Sequence, residues 1–119
     1  MAPRTVPAGP ITERQFQQQV VHLAHLHRWR VMHVRPTIGR RGGEAAWQTA
    51  TSIAGYPDLT LWRPGQLLLV ELKTDRGRLS PAQREVIGSL QDAGVDVRVW
   101  RPADWPEIEA TLNPMKGHP

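Results

Sequence analysis

At 119 residues the chain has room for one domain with a real core and too little for a comfortable second. Its formal charge of +4 is unevenly spread: residues 1–50 carry seven arginines against two acids, residues 51–119 eight basic against nine acidic side chains. An arginine-rich first half suits a polyanionic partner. The absence of cysteine excludes disulfides and thiolate zinc sites, and neither a signal core nor an apolar run of membrane-spanning length is present, so a cytoplasmic protein is expected.

Residues 1–10 hold three prolines and a glycine without apolar periodicity, and read as a disordered arm. Thr12 is a suitable N-cap with Gln15 three residues on, and Ile11 with Phe16 fits a hydrophobic staple. Phe16, Val20, Leu23, Ala24 and His27 recur at helical spacing, which predicts a helix to about Arg28. Trp29 to Arg35 alternates as a strand, and Pro36 to Gly55 has loop composition. Connections beyond roughly 12 to 15 residues are uncommon in compact domains unless functional or disordered. Leu59–Trp62 and Leu67–Val70 are apolar runs that read as strands around a reversal at Arg63-Pro64-Gly65-Gln66. Asp75-Arg76-Gly77-Arg78 makes a basic turn into a helix started by Ser80, Pro81 and Gln83. Its expected buried stripe is Val86, Ile87, Leu90 and Ala93, and Gly94 ends it. Val95–Trp100 reads as a further strand. Asp104 with Glu107 then caps a short helix bearing Trp105, Ile108 and Leu112. The domain is expected over 11–113, with a flexible tail at 114–119. The order αβββαβα predicts an α/β domain with a mixed β-sheet flanked by helices.

The hairpin carries the most informative cluster. If the reversal is symmetric, Trp62 faces Leu67 and Asp58 faces Glu71. Directly opposed side chains lie about 4.5 to 5.5 Å apart at Cβ, where like charges repel. Something cationic must offset them. Lys73 returns to the same face two residues on, and a divalent ion between the carboxylates would complete the compensation. A one-residue bulge would cancel this register.

Together, Glu13 on the first helix, Gly55-Tyr56-Pro57-Asp58-Leu59, Glu71-Leu72-Lys73 and Leu79-Ser80-Pro81-Ala82-Gln83 resemble the VRR-NUC branch of the PD-(D/E)XK nuclease superfamily, over Thr12 to about Leu112. Pro-Asp followed by Glu-x-Lys is a weak signal alone. The glycine before it and the Ser-Pro-x-Gln helix start make it specific. The resemblance implies a restriction-endonuclease-like fold and a Mg²⁺- or Mn²⁺-dependent DNA endonuclease. For small stand-alone phage or bacterial members it implies structure selectivity for Holliday junctions or flaps, for which a homodimer is suited. It also implies that Asp58, Glu71 and the Leu72 carbonyl hold the ion, because hard cations prefer oxygen, and that Glu13 reaches it directly or through water. Lys73 would orient the attacking water or stabilise charge on the transition state.

Two of these residues have a second explanation. An acid in a first helical turn, such as Glu13, is favoured by the helix dipole whatever the function. Gln83 is either the reciprocal partner of Ser80 in a capping box or an active-site contact. Its alignment with Val86, Ile87 and Leu90 favours the contact. Gln17, one turn after Glu13, faces either the cleft or solvent.

Arg76 and Arg78 flank the site that must receive a phosphate, and with Ser80, Arg35, Arg40 and Arg41 are the expected DNA contacts. Trp47 either stacks on a base or packs locally. His22, His25 and His27 cluster without a convincing further ligand, and read as solvated or partly buried side chains; His33 lies nearer the expected cleft. The alternative function is a non-catalytic nucleic-acid-binding accessory module of a replication or repair complex.

Overall fold

The computed structural model describes residues 10–34 and 53–113. The first helix, α1 (Glu13–Leu26), begins at the capping box expected at Thr12: its hydroxyl accepts the Gln15 amide and the Gln15 side chain accepts the Thr12 amide. Phe16, Val20 and Ala24 form its buried stripe, and Ile11 packs with the same core, as the staple requires. The helix stops two residues earlier than the apolar spacing predicts. Arg28 takes a left-handed φ of +67°, and the amides of Trp29 and Arg28 fold back onto the carbonyls of Ala24 and His25. This is a Schellman stop, with arginine where glycine is usual.

Strand β1 (Arg30–His33) pairs antiparallel with β2 (Leu59–Arg63), and β2 with β3 (Gln66–Leu72), around the expected Pro64-Gly65 reversal. Gly65 supplies the positive φ, +79°. No bulge interrupts the β2–β3 ladder: Trp62 faces Leu67 and Leu59 faces Val70, so the next pair is Asp58 and Glu71. Helix α2 (Pro81–Asp92) returns the chain to β4 (Val97–Trp100), which runs parallel to β3. Gly94, at φ +91°, ends α2 in the same kind of stop, and Val95 joins it by donating to the Leu90 carbonyl rather than starting the strand. Ala93 is exposed, not buried as the helical stripe suggested, because it caps this stop.

A single 3₁₀ turn (Pro102–Asp104) precedes α3 (Trp105–Leu112). Here the expected cap differs. Asp104 turns its carboxylate back to the Arg101 amide, 2.9 Å away, and so closes the 3₁₀ turn instead of capping α3, while Glu107 accepts from the Trp100 indole.

The mixed sheet has the order β1-β2-β3-β4. Residues alternate across it. Leu59, Leu61, Leu68, Val70, Leu72 and Trp100 pack with α1 and α3 on one face, and Leu69 and Val97 meet Ile87 of α2 on the other. Glu71 shares the second face with Leu69. The Arg63 guanidinium lies 4.3 Å from the Trp29 ring centre and donates to the carbonyls of His27 and Leu112, which ties the hairpin to the ends of α1 and α3. Among the described residues no helix is long and apolar enough to cross a membrane.

Candidate active site

Glu71 occupies a central strand and is 1% exposed, the one buried charged side chain among the described residues. Burying a carboxylate is costly unless its oxygens are paired. The surroundings pair only one of them. Glu71 Oε2 accepts from Gln83 Nε2 at 2.9 Å and lies 4.0 Å from Lys73 Nζ, whereas Oε1 is the one buried side-chain oxygen among the described residues without a hydrogen-bond partner. Burial pushes the Glu71 carboxyl up to about 8, and the neighbouring Asp58 charge adds to the rise; Lys73 opposes it.

Asp58 is half-buried at the start of β2, and its Oδ2 accepts the Leu72 amide at 3.0 Å. The side chain therefore reaches the end of β3, where Glu71 and Lys73 flank Leu72. Lys73 is also largely enclosed, with its side chain 16% exposed and its stem against Gly77. Asp58, Glu71 and Lys73 thus meet as the hairpin register requires.

Gln83 does both things its position allowed. Its amide donates to Ser80 Oγ, its Oε1 accepts the Ser80 amide, and its Nε2 reaches Glu71. Ser80 is exposed and engaged as the N-cap. Glu13 is exposed in the first turn of α1; its charge contributes to the raised Glu71 carboxyl. It does not close up with Asp58 and Glu71: among the described residues no three His, Asp or Glu side chains form one metal-ligating group. Gln17 turns to His33, with Nε2 3.2 Å from Nδ1, beside a small cleft that also includes Gln18, Val21 and His22.

Arg76 and Arg78 are exposed and form no ion pair among the described residues. Arg76 lines a cleft of about 670 Å³ with Pro10, Ile11, Thr12, Thr74 and Asp75, between the start of α1 and the turn after Lys73. Arg35, Arg40, Arg41 and Trp47 lie outside the described residues.

Sequence reasoning missed one support. Arg101 donates to the carbonyls of Thr74 and Gly77, both at 2.6 Å, and Asp75 accepts the Ala103 amide. These bonds fix the turn that follows Lys73, yet they join residues 24 to 28 positions apart, where no local pattern signals them. Gly55, at φ +91°, passes so close to α2 that a Cβ would stand 2.5 Å from the Ala82 carbonyl and 2.8 Å from the Gln83 nitrogen. This approach is the physical reason for the glycine before Pro-Asp.

Residues 12–104 match the family model of the VRR-NUC domain. The chain belongs to the VRR-NUC family. Its fold is that of another solved VRR-NUC domain protein, with a TM-score of 0.62 and 23% identity over 88% of this chain and 93% of that one. No curated protein matches the sequence. VRR-NUC domains are a nuclease-type family within the PD-(D/E)XK superfamily, and its members generally use divalent metal ions. The donor set here fits such an ion. Two adjacent carboxylates, one with a buried oxygen lacking any donor, suit a hard cation that takes oxygen ligands.

Proposed function

We propose that this VRR-NUC protein is an endonuclease that hydrolyses DNA phosphodiester bonds with Mg²⁺ or Mn²⁺, selecting branched structures such as Holliday junctions or flaps. The observation that carries the reading is the buried Glu71, whose Oε1 has no donor while Asp58 and Lys73 stand beside it. A buried acid held in this way is costly to the fold and useful to a metal.

Asp58, Glu71 and the Leu72 carbonyl would hold the ion, with Glu13 acting through water. When bound, such an ion supplies Lewis acidity towards the scissile phosphate and lowers the pKa of a bound water. Gln83 holds the Glu71 side chain through Oε2 and leaves Oε1, which has no donor, as the oxygen that would ligate an ion. Lys73, enclosed and 4.0 Å from Glu71, keeps its ammonium where it orients the water or offsets charge on the phosphate. Arg76 and Arg78 supply phosphate contacts beside the cleft, and Ser80, Arg35, Arg40 and Arg41 extend them. In this reading selectivity comes from DNA shape, and a C₂ homodimer would place two such sites on opposing strands of a junction.

The test is cleavage of plasmid, four-way and flap DNA with Mg²⁺, Mn²⁺ or EDTA. Wild type cleaves only with metal, and Asp58→Ala and Lys73→Ala lose on the order of 10² or more in rate. Glu71→Gln abolishes cleavage and still binds DNA. Metal-independent binding without any cleavage by wild type would instead identify an accessory binding module.

A further inference from the structure

The β2–β3 ladder stops two pairs short of where its register leads. Leu59 faces Val70, Asp58 follows opposite Glu71, and the next pair is Pro57 with Leu72. Leu69 and Lys73 donate their amides to Asp96 and Trp100 on the β4 side. Along a strand the main-chain groups alternate in direction, so both the amide and the carbonyl of Leu72 face β2. Asp58 lies on the other phase of β2, since its carbonyl accepts the Val34 amide from β1. The residue facing Leu72 main chain to main chain is therefore residue 57. In an unbroken antiparallel ladder these two residues would exchange both hydrogen bonds.

Pro57 makes that exchange impossible. It has no N–H to give the Leu72 carbonyl. The other half is also diverted, because the Leu72 amide goes to Asp58 Oδ2 at 3.0 Å instead of to the Pro57 carbonyl. Pro57 is fully buried, which hinders water from standing in for the missing donor.

We propose that Pro57 is a positioning residue that ends the ladder so that the Leu72 carbonyl stays free as a metal ligand. Any other residue at 57 would bring an amide into register and close the pair. The carbonyl would then have to break a hydrogen bond before it could ligate. This rests on the metal-ligand reading above, and adds to it a reason for proline immediately before Asp58.

The experiment titrates Mn²⁺ into metal-free wild type, Pro57→Ala and Pro57→Val by calorimetry, with thermal melts and amide hydrogen exchange on the same samples. Valine keeps apolar volume at the buried position should alanine leave the protein unfolded. The expected result is that both variants remain folded, bind Mn²⁺ about five- to tenfold more weakly, and protect the newly introduced amide from exchange in the metal-free state. In wild type, Mg²⁺ should shift the ¹³C resonance of the Leu72 carbonyl. Wild-type Mn²⁺ affinity in a folded variant, or an unprotected new amide, overturns the role of Pro57 and leaves the metal site standing. A wild type that binds no metal at all removes both.

Discussion

Gln83 Nε2 lies 2.9 Å from Glu71 Oε2 while Gln83 Oε1 accepts the Ser80 amide at 2.8 Å, so one side chain links the start of α2 to the buried acid of β3. The capping box holds the Gln83 amide group in a single orientation, and that orientation points its free N–H at Glu71. Cap and site share one rotamer.

Ser80→Ala removes the cap hydroxyl and leaves the Gln83 side chain, whereas Gln83→Ala removes the bond to Glu71 as well. Ser80→Ala should cost about 1 kcal/mol of stability and leave Mn²⁺ affinity within about threefold. Gln83→Ala should weaken Mn²⁺ binding at least about tenfold, as loss of a partner that orients a ligand does. Equal metal affinities in the two variants would show that Gln83 acts only through the helix.

Gly55 and Gly65 both have positive φ, +91° and +79°, but only Gly55 is crowded. Gly65→Ala meets nothing within 4 Å and should cost about 1–2 kcal/mol from the left-handed backbone alone. Gly55→Ala adds contacts of 2.5 Å with main-chain atoms of Ala82, which cannot swing aside as a side chain does. A loss of about 3 kcal/mol or more follows, measured by urea unfolding. Because the crowded turn carries Gln83, folded Gly55→Ala protein should also bind Mn²⁺ more weakly.

The parts of this architecture that were legible in the sequence are those set by neighbours in the chain. Thr12 with Gln15, Ser80 with Gln83, Pro64-Gly65 and Gly94 each act within one turn, and the hairpin length alone brought Asp58 to Glu71. The parts that were not legible depend on distant partners or on rare backbone. Arg101 holds the turn after Lys73 across 27 residues, and Asp104 closes the 3₁₀ turn on the Arg101 amide instead of capping α3. Arg28 ends α1 in a conformation that residue type argues against. The double use of Gln83 was visible as two alternatives, and only the packing of α2 on β3 made them compatible.

Arg28 offers a simple gain in stability. Its φ of +67° costs a non-glycine residue about 1–2 kcal/mol, and its side chain is exposed. Arg28→Gly should stabilise the protein by about 0.5–1 kcal/mol after the extra freedom of glycine in the unfolded chain is subtracted. Arg28→Ala retains the left-handed penalty and should show no such gain. A rise in melting temperature for glycine alone confirms that the backbone, not the lost charge, sets the effect.

The raised Glu71 carboxyl gives the metal-free fold a pH dependence of its own. Its carboxyl is raised from an ordinary value of 4.5 to about 8, chiefly by burial, so between these limits the folded state holds a proton that the unfolded state releases. Below 4.5 both states are protonated and the group contributes no slope. As pH rises towards 8 the fold loses stability at up to about 1.4 kcal/mol per pH unit, and beyond 8 the loss is complete. Glu71→Gln keeps the shape and the buried polar end without the titration. Its metal-free melting temperature should therefore match wild type near pH 4 and exceed it at pH 8. Metal binding must displace the same proton, so wild-type Mn²⁺ affinity should strengthen as pH rises to about 8 and then level off. Calorimetry in buffers of different ionisation enthalpy would read the released proton directly near pH 7. A wild-type protein whose metal-free stability is flat from pH 5 to 8, with no proton released on binding, would mean that Glu71 is ionised in the fold without a metal.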